Sequence, residues 1–550
     1  MLPKVVLADG KLKDSVLNGL THVLVLFPAS LLAGGELPTG LPGATLLKRV
    51  LARQKKKPGA MLRVGAANGA IPVEPVVPEA MLDGGGLVRW LALDMDAPVF
   101  QIHQQLRLAL AGLLAEQPAQ LDIVFHGSTG FVAGVLPEAA YVAAVNRVAL
   151  PKTVTAEKVL VTRTPKSAVA AKAAKVSEIR LWAGLRDQAF LKQQLVGALA
   201  RAEANVLTRA LCVLPPNQLT PGSFRALLPS QIKGLGIRTE VYDVGRLKKL
   251  QAGAFLAVAQ GSPEQDAAII HLSYSPTVKT AKSAIRPRPG AKSKAAIDTV
   301  PSVALVGKGI CFDTGGHNLK PARYMAGMHE DMAGAAVALS VIQAAARLKL
   351  PVRVDAWLAL SRNDIGPGAY RQGDVVTALN GRTIEIVHTD AEGRMVLADT
   401  LTLAAALKPD VVMDFATLTG SMTTALGNRM SGFFASEAFL ASRLETCAAA
   451  TGERLMSFAM PDDYDSALES LVADVKQCTL DGEADHILAA RFLQLFVGET
   501  PWLHVDLSAA TCKGGLGAVG TETTGFGAAL ALAFIESVAA HGIARPGPRF

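Results

Sequence analysis

VGKGICFDTGG at residues 306–316 and HTDAEGR at residues 388–394 are the two stretches that decide the fold. Each follows a run of strand-forming residues, at 302–306 and at 383–387. We therefore expect their polar side chains to emerge at strand ends, where α/β folds usually carry their sites. Ionised groups among so many glycines and apolar residues are costly unless they are paired or bound to a metal.

Carboxylates dominate the polar residues of this region, and Lys320 lies between the two stretches. Oxygen ligands without a Cys or His pattern of structural-zinc spacing suit divalent cations, and four carboxylates are enough to bridge two of them. Two ions about 3.5–4 Å apart share a water molecule and lower its pKa towards about 7. The sequence therefore predicts a two-metal hydrolytic centre whose carboxylates are Asp313, Asp331, Asp390 and Glu392.

Each of these residues has a simpler interpretation when it is taken alone. Lys308 or Lys320 alone is more often a solvated surface lysine. Asp390 and Glu392 could open the apolar helix predicted at 395–407, because acidic groups favour helix N-termini. A phosphate loop is excluded, because the spacing G-x-x-x-x-G-K-[ST] is absent. Taken together in register, the residues favour a metal site.

The same motifs resemble the signature of the leucyl aminopeptidase (cytosol aminopeptidase) family. The resemblance covers roughly residues 177–530, and its main segments are 306–334, GAYRQGD at 368–374, TDAEGR at 389–394, DFATLTG at 414–420 and PWLHVDL at 501–507. It implies a metal-dependent aminopeptidase that hydrolyses the N-terminal residue from short peptides, with a broad preference for Leu-like or Met-like side chains. A single methylene in such a pocket discriminates by only about 1–3 kcal/mol.

The resemblance also implies a metal-ligand set. Lys308, Asp313, Asp331 and Glu392 would hold the tighter ion, and Asp313, Asp390 and Glu392 the more exchangeable one. Lys308 would then ligate as a neutral amine, because a neighbouring dication favours loss of its proton. Zn²⁺ is the first expectation for both ions, and Mn²⁺ or Co²⁺ suit the same ligands.

Two further roles follow from the resemblance. Lys320 would be the catalytic lysine that polarises the scissile carbonyl and stabilises the developing oxyanion. Arg394 would hold a bicarbonate ion that acts as general base, a task that suits a planar, permanently charged group. The substrate side chain would enter a pocket formed by Met328, Thr417, Leu418 and Gly420.

Two residues inside the motifs depart from the family pattern. The family usually has Asn where this chain has His388, and Gly-Gly where it has Ala333-Gly334. The predicted ligands are unchanged. We expect His388 to orient the loop beside the metal ligands rather than to bind a metal itself.

The length of 550 residues predicts two domains. We expect an α/β fold, with a small N-terminal α/β assembly domain at 1–160, a linker at 161–176, and a larger catalytic domain at 177–550. The catalytic domain is expected to have a central mixed sheet flanked by helices. Predicted elements of the first part include strands at 22–27, 87–93 and 121–125 and a helix at 99–115.

Five scattered cysteines predict reduced thiols rather than a disulfide framework. We find no secretory signal and no apolar run of the roughly 20 residues that a membrane span needs. The expected location is the cytoplasm, with import into an organelle left open. By resemblance we also expect a homo-hexamer whose interior cavity admits short peptides.

Residues 276–302 form a basic insert, with six lysine and arginine residues against Asp298 alone. A run rich in Pro, Lys, Ala and Ser is typical of a solvated loop. This insert and Lys55-Lys56-Lys57 motivate an alternative function, in which the chain is a non-catalytic or moonlighting assembly or nucleic-acid-binding member of the same fold.

Overall fold

The computed structural model describes residues 2–8, 10, 12–61, 77–151, 178–185, 188–276 and 300–543. The predicted linker at 161–176 lies outside these residues, as do residues 277–299 of the predicted insert. The described residues form an α/β structure with sheets of six, eight and three strands. This confirms the predicted fold class.

The six-stranded sheet is built almost entirely from the N-terminal part of the chain. Its strand order is β1-β6-β5-β2-β4-β3, and every neighbouring pair is parallel except β3 with β4. Helix α2 packs on one face, and α3 and α4 pack on the other. The elements are β1 (Lys4–Leu7), α1 (Asp14–Leu17), β2 (His22–Pro28), α2 (Ala44–Arg53), β3 (Glu79–Met81), β4 (Leu87–Leu93), α3 (Val99–Ala115), β5 (Gln120–Phe125), α4 (Thr129–Arg147) and β6 (Glu178–Trp182).

Strand β6 lies beyond the boundary predicted at residue 177. It pairs with β1 and β5 in parallel, so it completes the N-terminal sheet. Ile179 and Leu181 are fully buried in the core of that sheet, and Arg180 pairs with the buried Asp122 at 2.8 Å between Nε and Oδ1. We therefore propose that the N-terminal unit extends at least to Trp182.

The eight-stranded sheet is the centre of the second part of the chain. Its order is β15-β14-β17-β13-β9-β10-β8-β7, with both parallel and antiparallel neighbours. The elements are α5 (Gln188–Cys212), α6 (Pro221–Gln231), β7 (Arg238–Asp243), α7 (Val244–Leu250), α8 (Gly253–Ala259), β8 (Ala268–Tyr274), β9 (Ser302–Asp313), α9 (Ala322–Met325), α10 (Ala333–Arg347), β10 (Arg353–Asn363), β11 (Val375–Thr377), β12 (Thr383–Glu385), α11 (Glu392–Ala406), β13 (Val411–Ala416), α12 (Gly420–Leu426), β14 (Ser431–Ala435), α13 (Ala438–Thr451), β15 (Leu455–Ser457), β16 (Val475–Lys476), α14 (Asp485–Val497), β17 (Trp502–Asp506) and α15 (Ala528–His541). A small third sheet has the order β11-β12-β16.

Helices cover both faces of the eight-stranded sheet. Apolar residues of α5, α10 and α15 form the core on one face, and those of α8, α11 and α14 form the core on the other. Helix α5 also contributes its first turns to the core of the N-terminal sheet, so it joins the two parts of the molecule. Burial on both faces explains why the central strands are almost continuously apolar.

Strand β9 is longer than predicted and contains part of the first motif. The prediction ended the strand at Val306, but the strand continues to Asp313, paired in parallel with β10 along this extension and with β13 only as far as Gly307. Lys308 therefore lies inside a central strand rather than in a loop. Because side chains alternate along a strand, Gly307 faces α10 while Lys308 faces the opposite layer, where α11 begins.

Strand β9 and helix α10 approach each other more closely than side chains would allow. A Cβ atom on Gly307 would lie 2.3 Å from the carbonyl oxygen of Gly334, and a Cβ atom on Gly334 would lie 2.0 Å from the carbonyl oxygen of Phe415. Ala333 precedes this contact, and its methyl group is buried without difficulty. Of positions 333 and 334, only position 334 requires glycine.

Two expectations drawn from composition can be compared with the described residues. All five cysteines are buried and unpaired, which agrees with reduced thiols. Burial raises the pKa of the Cys311 thiol, so this residue in the first motif is a packing residue. Among the helices that the structure describes, none is both long and apolar enough to span a membrane.

We predict that Gly334→Ala lowers the free energy of unfolding by about 3 kcal/mol, because the added methyl group forces α10 away from β13. Denaturant unfolding measures this loss. Ala333→Gly is the matched control and should cost only about 1–2 kcal/mol, through backbone entropy and the lost burial of one methyl group. Equal losses in the two variants would contradict the close approach described above.

Candidate metal centre

The predicted metal ligands come from three places around the carboxyl end of β9. Lys308 and Asp313 belong to the strand itself. Asp331 follows a short 3-10 helix and precedes α10. Asp390 lies in the turn before α11, and Glu392 is the first residue of that helix. The predicted helix at 395–407 therefore begins three residues earlier than expected, at a ligand.

The structure brings three carboxylates into one group. Asp313, Asp390 and Glu392 each offer an oxygen, and these oxygens lie within 4.8 Å of one another. Asp331 joins them through Lys308, whose Nζ is 2.8 Å from Asp331 Oδ1 and 2.8 Å from Glu392 Oε1. The five residues that the sequence predicts as ligands are thus adjacent.

The second lysine, Lys320, contacts two carboxylates of the group that Lys308 does not pair with. Its Nζ is 3.0 Å from Asp313 Oδ2 and 2.5 Å from Asp390 Oδ1. The side chain is 14% exposed, whereas that of Lys308 is 4% exposed. Lys320 is therefore the more accessible of the two cations, as expected for a group that meets substrate.

Burial and the neighbouring charges shift the pKa values of several side chains in this group. Burial, followed by the charges of Glu392 and Asp313, raises the pKa of Asp331, although Lys308 opposes the shift. Burial also raises the pKa of Asp390 and of Glu392, again with help from neighbouring carboxylates. Burial disfavours the Lys308 ammonium, but the surrounding carboxylates outweigh burial and raise its pKa. More positive charge is needed to hold Asp331, Asp390 and Glu392 ionised together.

The donor atoms fit divalent cations. Four carboxylates face two ammonium groups, so two negative charges of the set remain uncompensated. Oδ2 of Asp331 and Oε2 of Glu392 are buried and have no hydrogen-bond partner. Buried carboxylate oxygens are costly without partners, and hard or borderline dications are the partners that such oxygens favour.

Glycine at position 393 makes room for Lys308. A Cβ atom there would lie 2.7 Å from Cε and 2.8 Å from Nζ of Lys308, and 2.9 Å from Cδ1 of Leu418. The lysine stem therefore passes directly over the first turn of α11. Glycine beside the predicted ligand Glu392 leaves the space for this crossing.

Hydrogen bonds that the sequence did not reveal hold the two motifs together. Asn363 Nδ2 donates to Asp313 Oδ1 at 2.8 Å and to the carbonyl oxygen of Thr389 at 3.0 Å. The hydroxyl of Tyr370 donates to the same carbonyl at 2.6 Å, and Thr389 Oγ1 donates to the carbonyl of Gly315 at 2.6 Å. Tyr370 lies in the predicted 368–374 segment, but no sequence pattern indicated its partner.

The sequence prediction also missed Gln477, whose side chain is hydrogen-bonded to the backbone of the second motif. Its Oε1 accepts from the backbone N–H of Val387 at 2.8 Å and of His388 at 3.3 Å, and its Nε2 donates to the carbonyl of Ala391 at 3.3 Å. The residue is completely buried. It lies about 90 residues along the chain from the motif, so only the folded structure could identify it.

His388 contacts the loop backbone, as expected for an orienting residue. Its Nδ1 accepts a hydrogen bond from the backbone N–H of Asp390 at 3.2 Å. Burial, and then the positive charge of Lys320, lowers the pKa of His388, so the neutral ring that can accept this bond is favoured. Because Nδ1 accepts, the neutral ring carries its proton on Nε2.

Arg394 is 2% exposed, and most of its donors are committed. One terminal nitrogen donates to the carbonyl oxygen of Gln477 at 2.9 Å, and the other donates to both carboxylate oxygens of Asp485 at 2.8 and 2.9 Å. Only Nε lacks a partner. The two terminal nitrogens that could donate to a bicarbonate ion therefore already donate to protein groups.

The predicted substrate residues lie on the segments next to the ligands. Thr417 Oγ1 donates to Asp331 Oδ1 at 2.6 Å, and its carbonyl accepts from Lys308 at 2.9 Å. Leu418 is half-buried beside Gly393. Met328 is half-buried in the short 3-10 helix before Asp331, and Gly420 is exposed at the start of α12.

Comparison with known families is consistent with this geometry. Residues 206–532 match the sequence model described as the cytosol aminopeptidase family, catalytic domain.

The chain belongs to the cytosol aminopeptidase family.

Named relatives in this family are similar over part of their length. A probable cytosol aminopeptidase of Rhodopseudomonas palustris (strain BisA53) is 40% identical over 325 residues, which are 59% of this chain and 61% of that protein. One of Acidovorax ebreus (strain TPSY) is 38% identical over 338 residues, 61% of this chain and 64% of that protein. The matched segment thus spans less than two thirds of these relatives.

Solved structures share the fold over nearly the whole chain. A mutant of tomato leucine aminopeptidase superposes with a TM-score of 0.78 and 23% identity over 97% of each chain. The bottromycin maturation enzyme BotP in complex with Mn superposes with a TM-score of 0.72 and 26% identity, over 94% of this chain and 100% of that one. Both the N-terminal sheet and the central sheet are therefore part of a known architecture.

We predict that Gln477→Leu weakens metal binding by about 10–100-fold, the usual scale for a residue that orients ligands without touching the ion. Titration of the purified protein with Zn²⁺ in a metal buffer measures this. Gln343→Leu is the control, because Gln343 is also buried, in α10, and its Nε2 has no partner. Unchanged affinity in Gln477→Leu would show that the loop does not depend on this amide.

Proposed function

We propose that this chain is a metal-dependent aminopeptidase that removes the N-terminal residue from short peptides. One observation carries the proposal: Asp313, Asp390 and Glu392 present oxygens within 4.8 Å of one another, beside two lysines and a fourth carboxylate. Membership of the cytosol aminopeptidase family supports the same activity. Hydrolysis of a leucine chromogenic amide, with and without a chelator, is the direct test.

Two divalent ions per subunit are part of the proposal. Lys308, Asp313, Asp331 and Glu392 would hold one, and Asp313, Asp390 and Glu392 the other. When bound, such ions supply Lewis acidity and an activated water molecule. Zn²⁺ is our first assignment and Mn²⁺ or Co²⁺ the alternatives, and a solved relative at 26% identity is described with Mn.

The two lysines have different proposed tasks. Lys308 is enclosed by Asp331 and Glu392, so it would join the ligands after losing its proton. Lys320 is more exposed and contacts Asp313 and Asp390, the pair on the more exchangeable side. It would stabilise the negative charge that develops on the substrate carbonyl oxygen.

Substrate selection is assigned to the segments around Thr417 and Met328. Met328 and Leu418 offer apolar surface, and Thr417 and Gly420 complete the proposed pocket. We propose a broad preference for Leu-like and Met-like N-terminal residues. We also propose a homo-hexamer in the cytoplasm, and a solution mass near that of one 57.4 kDa chain would refute the hexamer.

Two elements of the sequence prediction receive less support. The bicarbonate ion expected at Arg394 would compete with Gln477 and Asp485 for the same donors. The nucleic-acid-binding alternative rests on the 276–302 insert, which is nearly all outside the described residues, and on the exposed Lys55-Lys56-Lys57. These three lysines do not favour that alternative over a peptidase, because exposed lysines are common on protein surfaces.

We predict that Asp313→Ala abolishes hydrolysis and lowers the content of both metals, because Asp313 would belong to both ligand sets. Glu392→Ala should behave in the same way. Metal analysis after dialysis, together with the chromogenic assay, measures both effects. Asp410→Ala is a suitable control, since its carboxylate only joins Ser302 to the start of β13. Full metal occupancy with normal turnover in Asp313→Ala would reject the assignment.

Lys320→Ala should separate metal binding from turnover. We expect metal content to remain while kcat falls by about 10²–10³, the loss that follows removal of one oxyanion-stabilising donor. Lys249→Ala, an exposed lysine of α7, controls for the loss of one positive charge. If Lys320→Ala loses metal instead, the tasks of the two lysines are exchanged.

A further inference from the structure

The contacts of Arg394 differ from those of an arginine that waits for an external anion. Both of its terminal nitrogens donate to protein groups, at 2.8–2.9 Å, and one of those groups is the carboxylate of Asp485. The pair is 2% exposed on the arginine side and 22% on the aspartate side. A buried guanidinium with this partner is already charge-compensated.

Asp485, the partner of Arg394, lies at the start of a helix. It is the first residue of α14, a helix of 13 residues, where the partial positive charge of the helix N-terminus favours an anion. The backbone N–H of the next residue, His486, donates to Ser421 Oγ at 2.9 Å, which fixes this helix end against α12. The position of Asp485 beside Arg394 is therefore set by two packed helices.

The same arginine is connected to the metal loop. Arg394 follows the ligand Glu392 by two residues in the first turn of α11. Its second partner, the carbonyl of Gln477, belongs to the residue whose amide holds Val387, His388 and Ala391. A change in the anion at Arg394 is thus transmitted to the loop that carries Asp390.

We propose that Asp485 occupies the position at Arg394 at which the bicarbonate ion was expected, so that hydrolysis by this chain needs no added anion. Asp485 is a positioning residue: it supplies the negative charge that holds the guanidinium, and through it the first turn of α11. A second anion at the same nitrogen would meet like charge at hydrogen-bond distance. This inference rests on the proposed function.

The test compares turnover and anion binding in buffers freed of dissolved CO₂. The metal-loaded parent should hydrolyse the leucine amide at a rate that does not respond to bicarbonate. Asp485→Gly should lose about 10–100-fold in kcat, and bicarbonate or formate should restore part of it. Asp485→Glu should retain activity without added anion. Asp485→Asn repeats the test of Asp485→Gly, because it removes the negative charge and keeps the side-chain volume.

A second pair serves as the matched control. Arg491 lies on the same helix α14 and pairs with the exposed Asp465 through two hydrogen bonds. Asp465→Gly removes a carboxylate that pairs with an arginine of the same helix but not with Arg394, so neither its turnover nor its response to bicarbonate should change.

Anion binding gives a readout that does not depend on catalysis. Line broadening of ¹³C-labelled bicarbonate should be absent with the parent and present with Asp485→Gly. A parent that binds bicarbonate or is stimulated by it overturns the inference, and so does a folded, metal-loaded Asp485 variant that no small anion rescues. If the parent hydrolyses no aminoacyl amide, the proposed function fails, and the binding experiment still decides the role of Asp485.

Discussion

More carboxylate than ammonium charge is buried at the end of β9, and the surrounding elements must hold these groups together against their mutual repulsion. Such charges are stable inside a protein only when partners compensate them and when rigid elements hold them in place. Here Asp313 ends a central strand that is buried on both faces, and Glu392 begins a helix that packs on the same sheet. The scaffold therefore holds together groups that repel each other, which is the arrangement that divalent cations stabilise.

Close backbone contact, rather than side-chain packing, sets the distances in this centre. Gly307 and Gly334 let α10 approach β9, and that helix follows directly after Asp331. Gly393 lets the stem of Lys308 cross the first turn of α11. At each of these points a methyl group would lie within 3 Å of another heavy atom, so an alanine would move a ligand-bearing element.

Contiguous features could be predicted from the sequence, and features that depend on tertiary pairing could not. Helix α3 was predicted at its observed residues, and three of the five predicted ligands, Asp313, Asp390 and Glu392, come from two short motifs and lie together in the structure. The length of β9 was missed because glycines disfavour strands, and pairing with β10 along the extension overrides that preference. Gln477 and Asp485 were missed because each reaches its partner across more than 80 residues of chain.

The two departures from the family motifs show which properties these positions require. Ala333 is tolerated because its methyl group is buried one residue before the contact that excludes a Cβ atom at Gly334. His388 is tolerated because Nδ1 supplies an acceptor for the backbone N–H of Asp390, which an asparagine oxygen could also supply. An imidazolium ring has donors on both nitrogens and could not accept this bond. Burial and the charge of Lys320 lower the pKa of His388, so the neutral ring is favoured, and the hydrogen bond that shapes the loop is kept although the residue type has changed.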